Sequence, residues 1–265
     1  MCQLLAMSSK QPAAVDFSFT GFARRSAEHR DGWGIALHNG SDCQLYTDAL
    51  ACSESALARQ LSAQPIKARN VIAHIRKATQ GRVSLENSHP FTRQLWGQTW
   101  SFAHNGDLKL FRPRPGLYAP WGDTDSELAF CHLLSELALR YEHRPPRHQL
   151  FAMLQVLAAS IAVYGTFNFL LSNGEFLFAY CSTELHWVQR QYPFSVAKLV
   201  DCDVSIDFSQ HNRHDDRMTV IATQPLTSNE TWQRFGAGEL KLFMQGEEVG
   251  AQPVRQQEWE LQVCA

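Results

Sequence analysis

The sequence predicts an α+β protein in which antiparallel sheets pack against helices. Strand-like segments, rich in β-branched and aromatic residues, occupy both halves of the chain. The two longer helical patterns lie together in the middle, so strands and helices do not alternate as repeated βαβ units require. With 265 residues, 45% of them hydrophobic, the chain has enough apolar side chains for a substantial core.

The strand predictions rest on eight segments. They cover residues 33–38, 70–75, 99–103, 167–171, 176–181, 186–189, 218–222 and 240–244. Between the fourth and the fifth stands Ser172-Asn173-Gly174. Because Asn-Gly suits a type I′ turn, we expect these two strands to form a β-hairpin.

The helix predictions cover residues 53–63, 125 to about 141, and 147–163. The second helix begins at Thr124-Asp125-Ser126-Glu127, which matches a capping box. Arg144-Pro145-Pro146 separates the second helix from the third, because proline does not continue a helix.

The charge and apolar patterns exclude two classes of partner. The formal net charge is -2 and no run of Lys or Arg occurs, so nothing predicts binding to nucleic acid or to an anionic membrane. The longest apolar stretch, 150–163, contains Gln155 and Ser160 and is shorter than the roughly 20 residues of a membrane helix. The N-terminus lacks the pattern of a secretory signal, so we expect a cytoplasmic protein.

The cysteines predict a thiol at the chain terminus rather than a metal site. There are seven, no C-x-x-C pair occurs, and we expect neither a zinc site nor a disulfide framework. Cys2 differs from the others because removal of Met1 leaves it N-terminal. Its α-amine, with a reference pKa of about 7.7–8.0, can then accept the thiol proton, so Cys2 is a candidate nucleophile. The alternative is that cysteine follows Met1 by chance.

Two motifs near predicted strands have both a functional and a structural interpretation. Gly32, in His29-Arg30-Asp31-Gly32, permits a tight turn beside a site, or belongs to an ordinary loop before a strand. Arg76 stands at the end of the predicted strand 70–75. It can hold a carboxylate in a bidentate fork, or form a surface salt bridge.

Two further motifs leave the same choice open. Asn105 next to the Gly106 backbone N–H supplies two donors at one point, as an oxyanion hole requires, although Asn-Gly is also common in β-turns. Asp125 belongs to the capping box, and it can cap the helix, face an ammonium group, or do both.

Together and in this order, six motifs resemble the glutaminase domain of class II glutamine amidotransferases, in the N-terminal-nucleophile hydrolase superfamily. They are Met1-Cys2, His29-Arg30-Asp31-Gly32, His74-x-Arg76-x-Ala78-Thr79, Ser88-His89-Pro90, His104-Asn105-Gly106 and Thr124-Asp125-Ser126-Glu127. Residues 167–174 and 181–183 are similar to the stand-alone YafJ-type members of this family. The resemblance therefore extends over nearly the whole chain.

This resemblance implies a four-layer αββα sandwich, with two antiparallel sheets between helical layers. It implies that Cys2 is the nucleophile with its α-amine as base, and that Asn105 and the Gly106 amide form the oxyanion hole. Arg76 would hold the α-carboxylate of the substrate, and Asp125 its α-ammonium group.

The resemblance also implies that Thr79 lines the glutamine pocket and that Gly32 lies in a loop near the nucleophile. It implies no metal and no organic cofactor. Gln80 departs from the family pattern, because several amidotransferases of this class have His at this position. Many relatives carry a second domain that consumes the ammonia. We expect a single glutaminase domain over residues 2–265, with no separate acceptor or synthase domain.

Three functions remain open at this stage, and two act on a small molecule, glutamine or a γ-glutamyl compound. The chain could be an amidotransferase that passes ammonia to a separate synthase subunit, or a free-standing hydrolase of γ-glutamyl peptides or metabolites. The third, a non-catalytic binding module on the same fold, is disfavoured because every expected catalytic position is filled. The segment 111–121 is a candidate wall for a larger leaving group, or an ordered surface loop.

Overall fold

The computed structural model describes residues 2–25, 29–63 and 66–250, so Met1 and Cys264 lie outside the described residues. The helices in this part are α1 (Asp16–Arg24), α2 (Ala56–Ser62), α3 (Asp125–Arg140) and α4 (Arg147–Ala162). The strands are β1 (Gln3–Ala14), β2 (Trp33–Asn39), β3 (Asp42–Asp48), β4 (Lys67–Ile75), β5 (Phe91–Leu95), β6 (Gln98–Leu108), β7 (Gly165–Ser172), β8 (Leu177–Cys181), β9 (His186–Gln191), β10 (Val196–Lys198), β11 (Ser205–Asp207), β12 (Arg217–Ala222), β13 (Gln233–Arg234), β14 (Glu239–Met244) and β15 (Glu247–Glu248).

Within the described residues, the strands form two large sheets and a small pair. The seven-stranded sheet has the order β13-β9-β12-β1-β4-β2-β3, and the six-stranded sheet has the order β15-β14-β8-β7-β6-β5. Strands β10 and β11 pair separately. Neighbouring strands are antiparallel, which confirms the predicted sheet type.

Successive side chains of a strand point to opposite faces of its sheet, so the apolar side chains of one strand contribute to two different cores. In β1, Leu4 lies in the core between the two sheets, whereas Leu5 lies in the core that α1 covers. In β6, Ala103 lies between the sheets, whereas Phe102 packs against Phe130 of α3. The layers therefore follow the order helix, sheet, sheet, helix, and the predicted αββα sandwich is confirmed.

The two longer helices were predicted correctly at both ends to within one residue. Helix α3 begins after Thr124, whose hydroxyl accepts a hydrogen bond from the backbone N–H of Glu127 at 3.2 Å. The first predicted helix was three residues too long at its start, because Ser55 caps α2 by accepting from the N–H of Ala58. None of the described helices is both long enough and apolar enough to cross a membrane.

Strand β1, at the centre of the seven-stranded sheet, was missed, as was α1. The sequence of β1 contains Ser8 and Ser9 at buried positions. A strand pattern is normally predicted from apolar residues at such positions. Ser8 accepts a hydrogen bond from the N–H of Gly246, and Ser9 donates to the carbonyl of Ala68. These partners are remote in the chain, so a local pattern does not reveal them.

The hairpin between β7 and β8 is confirmed, but its turn type was wrong. The connection has four residues, 173–176, and Asn173 lacks the positive φ that a type I′ turn requires. The Asn173 side chain instead accepts hydrogen bonds from the N–H groups of Glu175 and Phe176, at 3.2 and 2.8 Å. An Asx turn therefore replaces the two-residue turn.

Candidate active site

The Cys2 thiol lies against the chain just beyond the end of β4. The backbone N–H of Lys77 donates a hydrogen bond to Sγ, and the thiol donates to the Lys77 carbonyl, both at 3.2 Å. Burial raises the pKa of the thiol, while the Lys77 N–H and the nearby charge of Arg76 act in the opposite direction. A neutral, half-buried thiol of this kind needs a base before it can attack.

Strand pairing explains why Cys2 meets Arg76. In the register of β1 against β4, Gln3 lies opposite Ile75. Cys2 and Arg76, the next residues beyond this pair, are therefore neighbours. The N–H of Arg76 donates to the carbonyl of Gly32 at 2.8 Å, which brings the loop before β2 to the same point. Gly32 has φ +114, and a Cβ there would lie 2.9 Å from Ser88 Oγ, so a side chain is not accommodated.

The Arg76 guanidinium is buried and holds the loop that follows β4. It donates to the carbonyls of Arg82 at 2.8 Å, Gln80 at 2.9 Å and Gly81 at 3.4 Å. These bonds use three of its five N–H donors, and the other two make no hydrogen bond to the described residues. Arg76 is therefore not a surface salt-bridge residue.

Asn105 connects the second sheet to the nucleophile candidate. Its Nδ2 donates to the carbonyl of Cys2 at 2.7 Å, and its Oδ1 is buried with no hydrogen-bond partner among the described residues. His104-Asn105-Gly106 lies inside β6 and not at a turn, so the β-turn alternative and the predicted strand end at 103 were both wrong. At Gly106 a Cβ would overlap the carbonyl of Thr166 on β7.

Asn105 is itself fixed by residues that the sequence analysis did not select. The Asn168 side chain, opposite on β7, donates to the Asn105 carbonyl at 3.1 Å. Thr223, after β12, accepts from the N–H of Leu4 at 2.9 Å and from Asn105 Nδ2 at 3.5 Å. Asn168 belongs to a segment noted in the resemblance. Thr223 has no local signal, because both partners of its hydroxyl are over 100 positions away.

Asp125 lies at the start of α3 and is buried. Its carboxylate accepts hydrogen bonds from the N–H of Leu108 at 2.8 Å and from the N–H of Ser126 at 2.9 Å. Thr124, and not Asp125, is the N-cap residue. Asp125 therefore ties α3 to the end of β6, and its charge acts on both Arg76 and His104.

The loop after β4 carries the remaining predicted site residues. Thr79 is exposed there, and the Gln80 side-chain amide donates to the carboxylate of Asp107 on β6. Asp31 was not selected by sequence, yet it accepts a hydrogen bond from the N–H of Ala78 at 2.8 Å. The loop is thus connected both to the Gly32 segment and to β6.

A buried ion pair anchors the neighbouring loop, residues 109–124. Glu127 Oε1 accepts from Arg93 at 2.5 Å and from the N–H of Trp121 at 3.0 Å, while Oε2 accepts from the N–H of Gly122 at 2.7 Å. Both charged side chains are buried, and the Trp121 ring lies 3.7 Å from the Arg93 guanidinium. The loop conformation is therefore determined by contacts with α3 and β5.

The structure brings six of the seven predicted site residues into one connected set at this end of the two sheets, with Thr79 nearby in the loop. Over the residues that can be described, no three His, Cys, Asp or Glu side chains are arranged to hold a metal ion.

The family model described as class-II glutamine amidotransferases matches residues 1–264. The chain belongs to the class II glutamine amidotransferases. The Escherichia coli (strain K12) protein YafJ is 48% identical over 254 residues, covering 94% of this chain and 100% of YafJ. The predicted family resemblance is therefore confirmed, including its YafJ-type character.

Solved structures agree with this assignment. The crystal structure of a predicted glutamine amidotransferase from Pseudomonas aeruginosa has a TM-score of 0.76 and 38% identity, and covers 94% of this chain and 100% of that one. Glutamine phosphoribosylpyrophosphate amidotransferase from B. subtilis has a TM-score of 0.60 at 14% identity, over 94% of this chain and 48% of that one. The second similarity shows the fold alone. Family membership supports glutamine amide hydrolysis or transfer as the class of activity.

Proposed function

We propose that this class II amidotransferase chain hydrolyses the side-chain amide of glutamine or of a γ-glutamyl compound, with Cys2 as the nucleophile. The observation that carries the proposal is the 2.7 Å hydrogen bond from Asn105 Nδ2 to the Cys2 carbonyl. It joins an amide donor on one sheet to a thiol-bearing residue on the other. The same thiol contacts the chain next to Arg76, a buried cation with unused donors.

The reaction follows from these groups as acyl transfer in two halves. Once Met1 has been removed, the α-amine of Cys2 accepts the thiol proton, and the thiolate attacks the amide carbonyl. The backbone N–H of Gly106 stabilises the oxyanion together with the second N–H of Asn105 Nδ2, which leaves its long 3.5 Å contact with Thr223 Oγ1 to do so. The leaving amine takes a proton from the α-ammonium group, and water then hydrolyses the γ-glutamyl thioester.

Substrate recognition is assigned to Arg76 and Asp125. An α-amino acid presents a carboxylate and an ammonium group on one carbon, so its site needs a cation and an anion close together. Arg76 retains two donors for the carboxylate, and Asp125 acts electrostatically on Arg76 from the start of α3. We assign Thr79 to the wall of the substrate pocket. We assign Gly32 to the loop beside Cys2, where the lack of a side chain leaves the thiol accessible to the substrate.

Two uses of this chemistry differ in the leaving group. A glutaminase that donates ammonia to a synthase subunit needs room for ammonia alone, whereas a γ-glutamyl hydrolase needs a surface for an amino acid or peptide. The loop 109–124 favours the second use, because it is held by anchors of its own and presents exposed Leu117 and Trp121 side chains. Tyr118 supplies one such anchor by donating from its hydroxyl to the Gln94 carbonyl at 2.6 Å.

The decisive experiment measures glutamate release from glutamine, γ-glutamyl dipeptides and glutathione, using protein whose Met1 has been removed as checked by mass spectrometry. We expect turnover of at least one of them. Trp121→Ala should raise KM for γ-glutamyl dipeptides by about tenfold and leave KM for glutamine unchanged. Equal effects on both substrates would contradict the leaving-group role of the loop, and no release from any substrate would contradict the proposed function.

A further inference from the structure

Two buried imidazoles lie between the sheets beside the candidate active site, and the proposed mechanism uses neither. His74 is on β4, and His89 lies just before β5. His74 Nε2 and His89 Nδ1 share a hydrogen bond of 3.3 Å, and the ring centroids are 4.2 Å apart. The His89 ring also packs edge-on against Phe91, at 4.5 Å between centroids.

The second nitrogen of each ring lacks a hydrogen-bond partner among the described residues. These atoms are His74 Nδ1 and His89 Nε2, and both side chains are almost completely excluded from solvent. The groups that act on the pair are the carbonyl and the ring of His104, the cation Arg76 and, for His74, His29. Burial lowers the pKa of both imidazoles well below the usual value. The pair is therefore neutral, with one ring donating the shared proton and the other accepting it.

The position of the pair connects it to the reaction centre on both sheets. Arg76 follows directly after β4 and still pairs with the Gly32 carbonyl, so its side chain extends the face of the sheet to which His74, two residues earlier, belongs. The carbonyl that faces both rings belongs to His104, the residue immediately before Asn105. The backbone of His89 packs against Gly34 of β2, close to the Gly32 loop.

We propose that the His74–His89 pair is a positioning element, which sets the distance between the Arg76 end of β4 and the Asn105 segment of β6. Neither histidine touches substrate in this proposal. A change in the pair moves Asn105 relative to Cys2, and so lowers kcat more than it raises KM. The kinetic part of this inference rests on the proposed function, whereas the structural part does not.

The chain offers a matched control for a buried histidine. His38 on β2 is fully buried, and its Nε2 shares a hydrogen bond of 2.7 Å with Ser101 Oγ. It pairs with Asn70, four residues before His74 on β4, and so lies further from Cys2. His38→Leu removes a buried imidazole that, like His74, belongs to the seven-stranded sheet, and it does so without touching the reaction centre.

The kinetic experiment compares three variants of the protein with Met1 removed. His89→Leu should lower kcat for glutamine by at least about tenfold, whereas His38→Leu should stay within about twofold at a similar loss of Tm. His89→Asn places an amide where Nδ1 stood, so it should recover kcat to within about threefold of wild type. Failure of His89→Asn to recover kcat, or an equal loss in His38→Leu, would overturn the positioning role.

A second readout does not depend on turnover. Nitrogen NMR of labelled imidazoles should show one protonated and one bare nitrogen in both rings of the pair from about pH 8 to 5.5. The amide signal of Asn105 should shift in His89→Leu, return in His89→Asn, and stay in place in His38→Leu. If the rings titrate near their ordinary pKa, or the Asn105 signal ignores the substitution, the inference fails even when the protein hydrolyses glutamine. If only turnover is absent, the proposed function fails and the inference stands.

Discussion

The chemistry that we propose for Cys2 depends on the residue before it. With Met1 attached, the nitrogen of Cys2 belongs to a peptide bond and has no basicity near neutral pH. After removal of Met1, the same nitrogen is an amine with a reference pKa of about 7.7–8.0. Burial raises the thiol pKa, so the thiol does not ionise unaided at neutral pH and the amine becomes necessary.

Retention of Met1 should therefore abolish activity. Protein with Met1 intact by mass spectrometry, or with an N-terminal tag, should lose at least about a hundredfold in kcat, since the general base is absent. Treatment of the same sample with a methionine aminopeptidase should restore activity. Full activity before that treatment would show that another group, such as His74 or His104, acts as the base.

The loss of kcat/KM on removing Arg76 or Asp125 should depend on which charged groups the substrate carries. Charge-assisted contacts contribute roughly 1.5–3 kcal/mol each, so Arg76→Ala and Asp125→Ala should each lower kcat/KM for glutamine by at least about tenfold. For a glutaramate that lacks the α-ammonium group, Asp125→Ala should have a much smaller effect. An equal loss with both substrates would mean that Asp125 serves only its hydrogen bonds to the N–H groups of Leu108 and Ser126.

At the scale of elements, the candidate site lies where the N-terminal end of β1, the C-terminal end of β4 and the middle of β6 meet. Local patterns predicted α3 and α4, because their apolar faces and caps repeat within a few residues. They did not predict β1, whose buried serines find partners across the sheet. Sequence patterns also ended the strand at 103 and left a β-turn open for Asn105-Gly106, since nothing local distinguishes a turn from a strand held by Asn168 and Thr223.

The Arg93–Glu127 pair should be the strongest single anchor of the loop 109–124. Removing one partner of a buried ion pair costs about 3–5 kcal/mol, so Glu127→Ala should lower the free energy of unfolding by that amount. The matched control is Glu136→Ala, which breaks the more exposed Glu136–Arg140 pair on the same helix and should cost about 0.5 kcal/mol. Urea unfolding of both variants measures the difference, and similar losses would contradict the anchoring role.

At the scale of the whole molecule, three buried histidines link folding to pH. Burial lowers the pKa of His38 to about 4 and holds those of His74 and His89 well below their ordinary value. The unfolded chain, with histidine pKa values of about 6.5, therefore binds more protons than the folded protein below that pH. Their contribution to stability is complete above about pH 6.5 and is lost as the pH falls.

His38→Asn isolates one of these contributions. Between about pH 7.5 and 5.5, wild type should lose about 1.4 kcal/mol more unfolding free energy than His38→Asn, because the variant lacks one proton-binding group of the unfolded state. Urea titrations of both proteins at the two pH values give this difference. Equal losses would show that His38 titrates in the folded protein as it does in the unfolded chain, with no lowered pKa.

The four-layer fold and the family were predicted from the resemblance of six short motifs, although each motif alone also has an ordinary structural interpretation. The contacts that bring these motifs together in space could not be predicted from the sequence. Cys2 with Lys77, and Asn105 with Cys2, join residues 75 and 103 positions apart. Such contacts depend on strand register and on the packing of two sheets, which a single sequence does not specify residue by residue.

The central claim is that Cys2 is the nucleophile, and one comparison tests it most directly. Glutamate release from the best substrate is measured for wild type, Cys2→Ala and Cys52→Ala, each with Met1 removed and each shown to be folded by its unfolding midpoint. Cys52 is a buried thiol whose pKa burial raises to about 12, so it controls for loss of a cysteine without loss of chemistry. We predict no turnover above background for Cys2→Ala and near wild-type turnover for Cys52→Ala. Turnover by Cys2→Ala at the wild-type rate would contradict the account.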